Sequence, residues 1–161
     1  MTRAFPIPGL AEVAIGMKTV EEAVSVRNWV LERIEVASVL DDPDARRRAL
    51  TVVVVGGGFA GVETISELED MAREAVNRND RLSVSDLRFV MIEAAPRIMP
   101  EVPEDRAEKV VAELRARGIE VLLNTSLSDA TDGHLQLINM TDKSPAGEMD
   151  TDTLIWTAGV A

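Results

Sequence analysis

The chain has 161 residues, with 17 Lys and Arg, 28 Asp and Glu, one His and no Cys, and its formal net charge is −11. This length suits one domain with its own hydrophobic core. The missing cysteines exclude thiol catalysis, zinc ribbons, iron–sulfur clusters and disulfides from this segment. The acidic balance and the 3% aromatic content argue against a nucleic-acid partner, which selects basic and stacking side chains. We predict no metal site, and no membrane insertion by this segment, because its apolar runs are far too short.

The first fifty residues predict a linker followed by a helical arm. The opening segment is rich in proline and is typical of an extended linker. Thr19 and Glu22 have the spacing of a capping box, and apolar residues then recur at helical spacing to about Leu40. Asp42-Pro43 predicts the N-cap and first position of a second, short helix. We assign residues 1–50 to this linker and arm.

A buried strand, a glycine loop and a long helix follow in direct succession. Residues 52–55 are four consecutive valines, a β-branched run typical of a strand covered on both faces of a parallel sheet. The next six residues are Gly56-Gly57-Gly58-Phe59-Ala60-Gly61, and a helical pattern continues from 62 to about 78. This order is the context that gives a glycine-rich string its meaning as a dinucleotide-binding motif.

The rest of the chain continues the alternation of strands and helices. Strands are predicted at 87–93 and 119–123, with a helix at 104–117 between them. A hairpin at 127–140 turns at Asp132-Gly133, a second turn lies at Pro145-Ala146-Gly147, and a final short strand covers 154–156. The pattern predicts an α/β fold with a Rossmann-like doubly wound parallel sheet, to which the tail adds a small antiparallel β-meander.

The glycine loop predicts a site for the phosphates of a dinucleotide. We expect Gly56 to make the tight turn, Gly58 to let the backbone approach a pyrophosphate, and Gly61 to let helix and strand pack closely. Free N–H groups and the positive end of the helix dipole then hold the phosphates without a cationic side chain. The cofactor-binding residues predicted in this loop are Gly56, Gly57, Gly58, Phe59, Ala60 and Gly61. A tight turn with no ligand is the alternative.

Glu93 ends the second predicted strand of this unit, where a Rossmann domain places the acidic residue that binds the adenosine ribose. Its carboxylate accepts from the two ribose hydroxyls and repels the 2′-phosphate of NADP, so NAD(H) is favoured as the cofactor. Glu93 lies 32 positions past Gly61, against about 20 in the usual spacing, and the long helix and its loop absorb the excess. NADP stays open as an alternative, because Arg97 is near enough to Glu93 in sequence to reach a 2′-phosphate and Arg88 is on the same strand.

Three segments of the chain carry a family resemblance. They are Lys18-Thr19-Val20-Glu21-Glu22-Ala23 with Arg27-Asn28, then the loop from Val55 to Glu63, and finally Trp156-Thr157-Ala158-Gly159-Val160. Together they resemble the flavin-dependent pyridine nucleotide-disulfide oxidoreductases, and within them the type II NADH dehydrogenases. In that family an NADH-binding domain is inserted into a split flavin-binding domain. Because this sequence has one dinucleotide fingerprint, we expect residues 51–161 to be the NAD(H)-binding domain excised from a larger FAD-containing chain.

The resemblance implies further site residues and partners. Glu63 matches the acidic residue that such enzymes place near the junction of nicotinamide and flavin, and it is the one catalytic residue expected. Residues 157–159 match the segment that passes close to the nicotinamide, and within it Ala158 and Gly159 are expected to bind the cofactor. The implied partners are NADH, the flavin-binding domain of the same full-length chain with its FAD, and a quinone as the electron acceptor of the respiratory chain. This segment is expected not to bind FAD and to be inactive in isolation.

The resemblance also implies a place in the cell and leaves other readings open. The full-length protein is expected to be cytoplasmic and peripheral on the cytoplasmic face of the membrane. For Glu63, the alternative is a first-turn carboxylate that complements the helix dipole. For the whole segment, the alternatives are the NAD(P)H-binding domain of another flavin disulfide or ferredoxin reductase, and a nucleotide-sensing Rossmann module.

Overall fold

The computed structural model describes residues 7–158, in which the chain forms five α-helices and eight β-strands. The helices are α1 (Leu10–Val13), α2 (Val20–Val39), α3 (Pro43–Ala49), α4 (Phe59–Asn77) and α5 (Glu104–Ala116). The strands are β1 (Ala14–Gly16), β2 (Thr51–Val55), β3 (Arg88–Ile92), β4 (Glu120–Leu122), β5 (Thr125–Asp129), β6 (His134–Asn139), β7 (Pro145–Asp150) and β8 (Thr153–Trp156).

The strands form two separate sheets. The first has five parallel strands in the order β1-β8-β2-β3-β4, and the second has three antiparallel strands in the order β5-β6-β7. The predicted α/β fold class, with a Rossmann-like parallel sheet and a small antiparallel meander, is confirmed. In the described part of the chain, no helix has the length and apolar character needed to cross a membrane.

The parallel sheet is the middle of three layers. Val52 and Val54 of β2 pack in a core with the helices, whereas Val53 and Val55 pack in a second core with the meander. All four side chains are at most 5% exposed. Successive side chains of a strand point to opposite faces, so a run of valines without alternation requires cover on both sides. The meander is that cover on one face, rather than an addition at the edge.

The predicted starts of the two arm helices are confirmed. The Thr19 hydroxyl accepts from the Glu22 N–H at 3.1 Å and the Glu22 carboxylate accepts from the Thr19 N–H at 3.2 Å, which completes the capping box at the start of α2. Asp42 caps α3 by accepting from the Asp44 N–H at 3.0 Å. These caps satisfy backbone donors that a helix end otherwise leaves open.

The structure differs from the expectations in four elements. The prediction missed the short helix α1, which lies before the predicted arm helix. The prediction missed β1, which pairs with β8 and brings part of the first fifty residues into the parallel sheet. The turn expected at Pro145-Ala146-Gly147 is wrong, because these residues belong to β7. The helix α4 begins at Phe59, three residues earlier than predicted. Of these elements, β1 is only three residues long and pairs with a strand distant in sequence, and β7 is irregular in its pairing with β6.

Candidate functional site

Two loops meet where the connections of the parallel sheet reverse direction. From β2 the chain adds β3 and then β4 on one side, and it returns to place β8 on the other side of β2. The glycine loop follows β2, and Thr157 and Ala158 follow β8, so both lie at the carboxyl edge of these neighbouring strands. In open α/β sheets, ligands bind in the crevice at this reversal.

The turn after β2 depends on two glycines. Gly56 has a φ of 117°, which side-chain-bearing residues rarely adopt, and a Cβ there would lie 2.6 Å from both the Thr157 hydroxyl and the Ala158 nitrogen. A Cβ on Gly61 would clash with the carbonyl oxygen of Gly56. The tight turn predicted at Gly56 and the close helix–strand packing predicted at Gly61 are therefore confirmed.

Hydrogen bonds from Thr157 join the turn to the end of β8. The carbonyl oxygen of Val55 accepts from the Thr157 N–H at 2.8 Å, from the Thr157 hydroxyl at 3.0 Å and from the Ala158 N–H at 3.0 Å. The sequence pattern did not predict that Thr157 takes part in this turn. The only signal was its position directly after a buried strand, where a hydroxyl can bond to the neighbouring backbone.

The start of α4 leaves four backbone donors open. Among the described residues, no atom accepts a hydrogen bond from the N–H groups of Gly58, Phe59, Ala60 or Gly61. Gly58 is the N-cap with a φ of −76°, and a Cβ built on it would meet nothing within 4 Å. A helix N-terminus with free donors and room beside it fits an anionic phosphate group.

Glu93 lies directly against the glycine loop. One carboxylate oxygen accepts from the Gly57 N–H at 2.8 Å, and the other accepts from the Ala95 N–H at 2.7 Å. The N–H of Gly57 is thus turned toward Glu93 and not toward the open space beside Gly58. Charge-assisted bonds of this kind orient a carboxylate firmly, and its oxygens keep lone pairs with which they can accept from a ribose.

The two arginines near Glu93 are engaged elsewhere in the fold. Arg88 forms two hydrogen bonds to Glu120, at 2.7 and 3.1 Å, and this partner raises the pKa of the Arg88 guanidinium. Arg97 donates to the backbone carbonyls of Ile98, Met99 and Val102. Both guanidinium groups are therefore held by protein acceptors.

The remaining predicted residues are less enclosed. Glu63 is exposed and forms no hydrogen bond or ion pair with any residue in 7–158. Because α4 begins at Phe59, Glu63 is the fifth helical residue, so the alternative of a first-turn carboxylate is wrong. Ala158 is half-buried beside Gly56. Gly159 lies outside the described residues.

Comparison with protein families agrees with this geometry. The family model described as pyridine nucleotide-disulphide oxidoreductase matches residues 1–161. The chain belongs to this family. The resemblance on which the sequence prediction rested is confirmed.

Curated relatives of the pyridine nucleotide-disulphide oxidoreductase family refine the match. The chain is 32% identical over 154 residues to the type II NADH:quinone oxidoreductase NdhA of Mycobacterium tuberculosis, covering 94% of this chain and 32% of that protein. It is 29% identical over 164 residues to the external alternative NADH-ubiquinone oxidoreductase of Yarrowia lipolytica, covering 99% of this chain and 28% of that protein. The chain therefore spans about a third of the length of these relatives.

A solved structure shows the same fold. NDH2 from Plasmodium falciparum in complex with NADH matches with a TM-score of 0.91 at 23% identity. The match covers 100% of this chain and 33% of that chain. At this level of identity the likeness concerns the fold, and the chemistry of the site rests on the residues described above.

Proposed function

We propose that this chain is the NADH-binding domain of a type II NADH:quinone oxidoreductase. In this proposal residues 51–161 hold the cofactor, residues 1–50 lead into them, and the flavin-binding domain of the same full-length chain holds FAD. The bound nicotinamide supplies a hydride to the flavin, and a quinone accepts the electrons from the complete enzyme. The observation that carries the proposal is the set of open donors at the start of α4, beside the empty space at Gly58.

The part of this chain is to bind and orient the cofactor. The N–H groups of Gly58, Phe59, Ala60 and Gly61 are placed to donate to the pyrophosphate, as a helix start does for anions. The net charge of −11 offers no general attraction for a phosphate-bearing ligand, so these directed backbone donors matter all the more.

Glu93 supports NADH over NADPH. Its carboxylate is fixed at the glycine loop by two backbone N–H groups, and from there it accepts from the ribose hydroxyls. A 2′-phosphate at the same place meets a like charge, while Arg88 and Arg97 are already bonded to protein acceptors. The chain offers no free cation among the residues next to Glu93 that the structure describes.

The nicotinamide end of the cofactor is proposed to lie along Ala158 and Gly159, with Glu63 nearby on α4. The carboxyl edge that carries Thr157 and Ala158 supports this placement. We further propose that the full-length protein is cytoplasmic and peripheral on the membrane, where a quinone is accessible. This segment alone is expected to show no turnover, because it holds one of the two cofactors.

Titration of NADH fluorescence tests the proposed cofactor site. The wild-type chain is expected to bind NADH at least about tenfold more tightly than NADPH. Glu93→Gln removes the negative charge at the ribose, so it is expected to weaken NADH binding and to narrow the preference over NADPH. Glu108→Gln, an exposed carboxylate on α5 with no hydrogen bond among the described residues, is the matched control.

Two results contradict the proposal. If the wild-type chain binds no NADH at millimolar concentration, the open donors at the start of α4 do not form a nucleotide site. If Glu93→Gln leaves the ratio of NADH to NADPH affinity at the wild-type value, Glu93 does not face the ribose. Unchanged affinities in Glu108→Gln exclude a general effect of removing one negative charge.

A further inference from the structure

Gly57, the central glycine of the loop, is bonded through both of its backbone polar groups. Its N–H donates to the Glu93 carboxylate at 2.8 Å, and its carbonyl accepts from the Met99 N–H at 2.9 Å. Both partners belong to the segment that follows β3. The position of the glycine loop is therefore set by this second segment as well as by β2.

The residues that reach Gly57 from this segment are tightly placed. Ile98 is 1% exposed, and its Cγ2 lies 2.7 Å from the point where a Cβ on Gly57 would stand. Met99 is 5% exposed and has a φ of 43°. A non-glycine residue in this left-handed region is held there only when its surroundings support it.

Arg97 supplies that support. Its guanidinium donates to the Met99 carbonyl at 3.0 Å, to the Ile98 carbonyl at 3.4 Å, and to the Val102 carbonyl. The Val102 N–H donates to the Met99 carbonyl at 3.1 Å, and this hydrogen bond closes the turn. A planar guanidinium with several fixed donors can hold three carbonyls at once, which an ammonium group does less well.

We propose that Arg97 is a positioning residue for dinucleotide binding and not a ligand of the cofactor. It holds residues 98–102 in the turn from which the Met99 N–H donates a hydrogen bond to the Gly57 carbonyl. Gly57 in turn fixes the direction of the adjacent N–H of Gly58 and the start of α4. The inference rests on the proposed function, since it concerns the same phosphate site.

The rival role for Arg97 is contact with the 2′-phosphate of NADPH, and the two roles differ in what they affect. A positioning residue supports the site for the pyrophosphate, which NADH and NADPH share. Its loss therefore weakens the binding of both nucleotides by the same factor. A 2′-phosphate ligand acts on NADPH alone. The ratio of the two affinities therefore separates the roles.

The experiment compares NADH and NADPH affinity in four forms of the chain. They are the wild type, Arg97→Met, Arg97→Lys and Arg106→Met. Arg106 is exposed and its side chain has no hydrogen bond among the described residues, so its substitution controls for the loss of one positive charge. NADH fluorescence gives the first affinity, and competition by NADPH gives the second.

We expect Arg97→Met to lower the affinity for NADH and the affinity for NADPH by the same factor, about tenfold. Arg97→Lys is expected to lie between Arg97→Met and the wild type, and Arg106→Met to match the wild type. Amide hydrogen exchange provides a readout without any ligand. The Met99 N–H is expected to exchange faster in Arg97→Met, because the turn that holds it is released.

Several outcomes overturn the inference. Weaker binding of NADPH alone assigns Arg97 to the 2′-phosphate, and equal affinities in the wild type and Arg97→Met show that the turn does not act on the site. If Arg97→Met fails to fold by circular dichroism, the comparison of Arg97→Lys with the wild type decides in the same way. A wild-type chain that binds neither nucleotide overturns the proposed function first, and the positioning role with it.

Discussion

The amino and carboxyl edges of the parallel sheet differ in where their polar groups find partners. At the amino edge, Asp152 precedes β8 and accepts from the Arg48 guanidinium at 2.9 Å. The indole N–H of Trp29 donates to the Asp152 carbonyl at 3.2 Å and to the Thr153 hydroxyl at 3.0 Å. At the carboxyl edge, the four N–H groups at the start of α4 have no acceptor within residues 7–158.

This difference separates residues that hold the fold from residues that are available to a ligand. Buried or half-buried polar groups are stabilising when they are paired within the protein. Open donors do not contribute in that way, and their arrangement around a glycine turn suits an anion instead. Substitutions at the amino edge should therefore change stability alone, whereas those at the carboxyl edge should divide between stability and NADH affinity.

Gly61 is expected to have the largest effect, because it lies at the carboxyl edge yet belongs to the packing. Gly61→Ala places a methyl group against the carbonyl oxygen of Gly56. We expect the free energy of unfolding, measured by urea denaturation, to fall by about 3 kcal/mol. A variant that unfolds at the wild-type urea concentration would show that α4 can move away from β2 without cost.

Asp152 is expected to have the next largest effect, at the amino edge. Asp152→Asn removes the carboxylate that pairs with Arg48 at 2.9 Å and with Arg33 at 3.6 Å, and the side chain of Asp152 is only 23% exposed. We expect a loss of about 1–2 kcal/mol in the free energy of unfolding. NADH affinity should stay unchanged. Asp80→Asn, at an exposed site with no bonded partner among the described residues, is the control, and weaker NADH binding in Asp152→Asn would contradict the division of the edges.

Gly58 tests the carboxyl edge without disturbing the packing. Gly58→Ala adds a methyl group to open space at an ordinary φ of −76°. The free energy of unfolding is expected to stay within about 0.5 kcal/mol of the wild type. NADH affinity is expected to fall about tenfold, because the methyl group stands where the pyrophosphate approaches. Wild-type affinity in this variant would mean that the phosphates lie elsewhere.

His134 is expected to have the smallest effect, through the pH dependence of stability. Hydrogen bonds to Asp150 at 2.7 Å and to Glu148 raise the pKa of His134 above its usual value of 6.5. The folded chain thus prefers the protonated ring, so the contribution is present below pH 6.5 and is lost as the pH rises through the folded-state pKa. Urea titrations across this range should show that loss in the wild type, and His134→Gln should remove it.

The sequence predicted those parts of the fold that depend on residues close together along the chain. The four valines of β2 required cover on both faces, and the turn at Gly56 followed from its place between strand and helix. The strand β1 could not be predicted in this way, since three residues carry little pattern and their pairing with β8 joins positions about 140 apart. Gly147, with a φ of 118°, lies in an irregular part of β7, and its turn-like composition concealed a strand.

The candidate site shows the same division. The turn at Gly56, the close packing at Gly61 and the place of Glu93 at the end of the second strand followed from the motif, and the structure brings all three to one edge. The bond between Met99 and Gly57 could not be predicted, because it joins two loops and depends on a left-handed residue held by Arg97. From the sequence alone, Arg97 is near enough to Glu93 to reach a 2′-phosphate, since sequence distance does not tell which way a guanidinium points.

The stretching frequency of the Val55 carbonyl can be measured by infrared spectroscopy to follow this part of the molecule. This carbonyl accepts from three donors, two of them on Thr157 and one on Ala158. Each hydrogen bond to a carbonyl lowers its stretching frequency, so a ¹³C label at Val55 should give an amide I band displaced from that of the other valines of β2. Its position would report, in solution and without any cofactor, whether the end of β8 remains joined to the glycine turn.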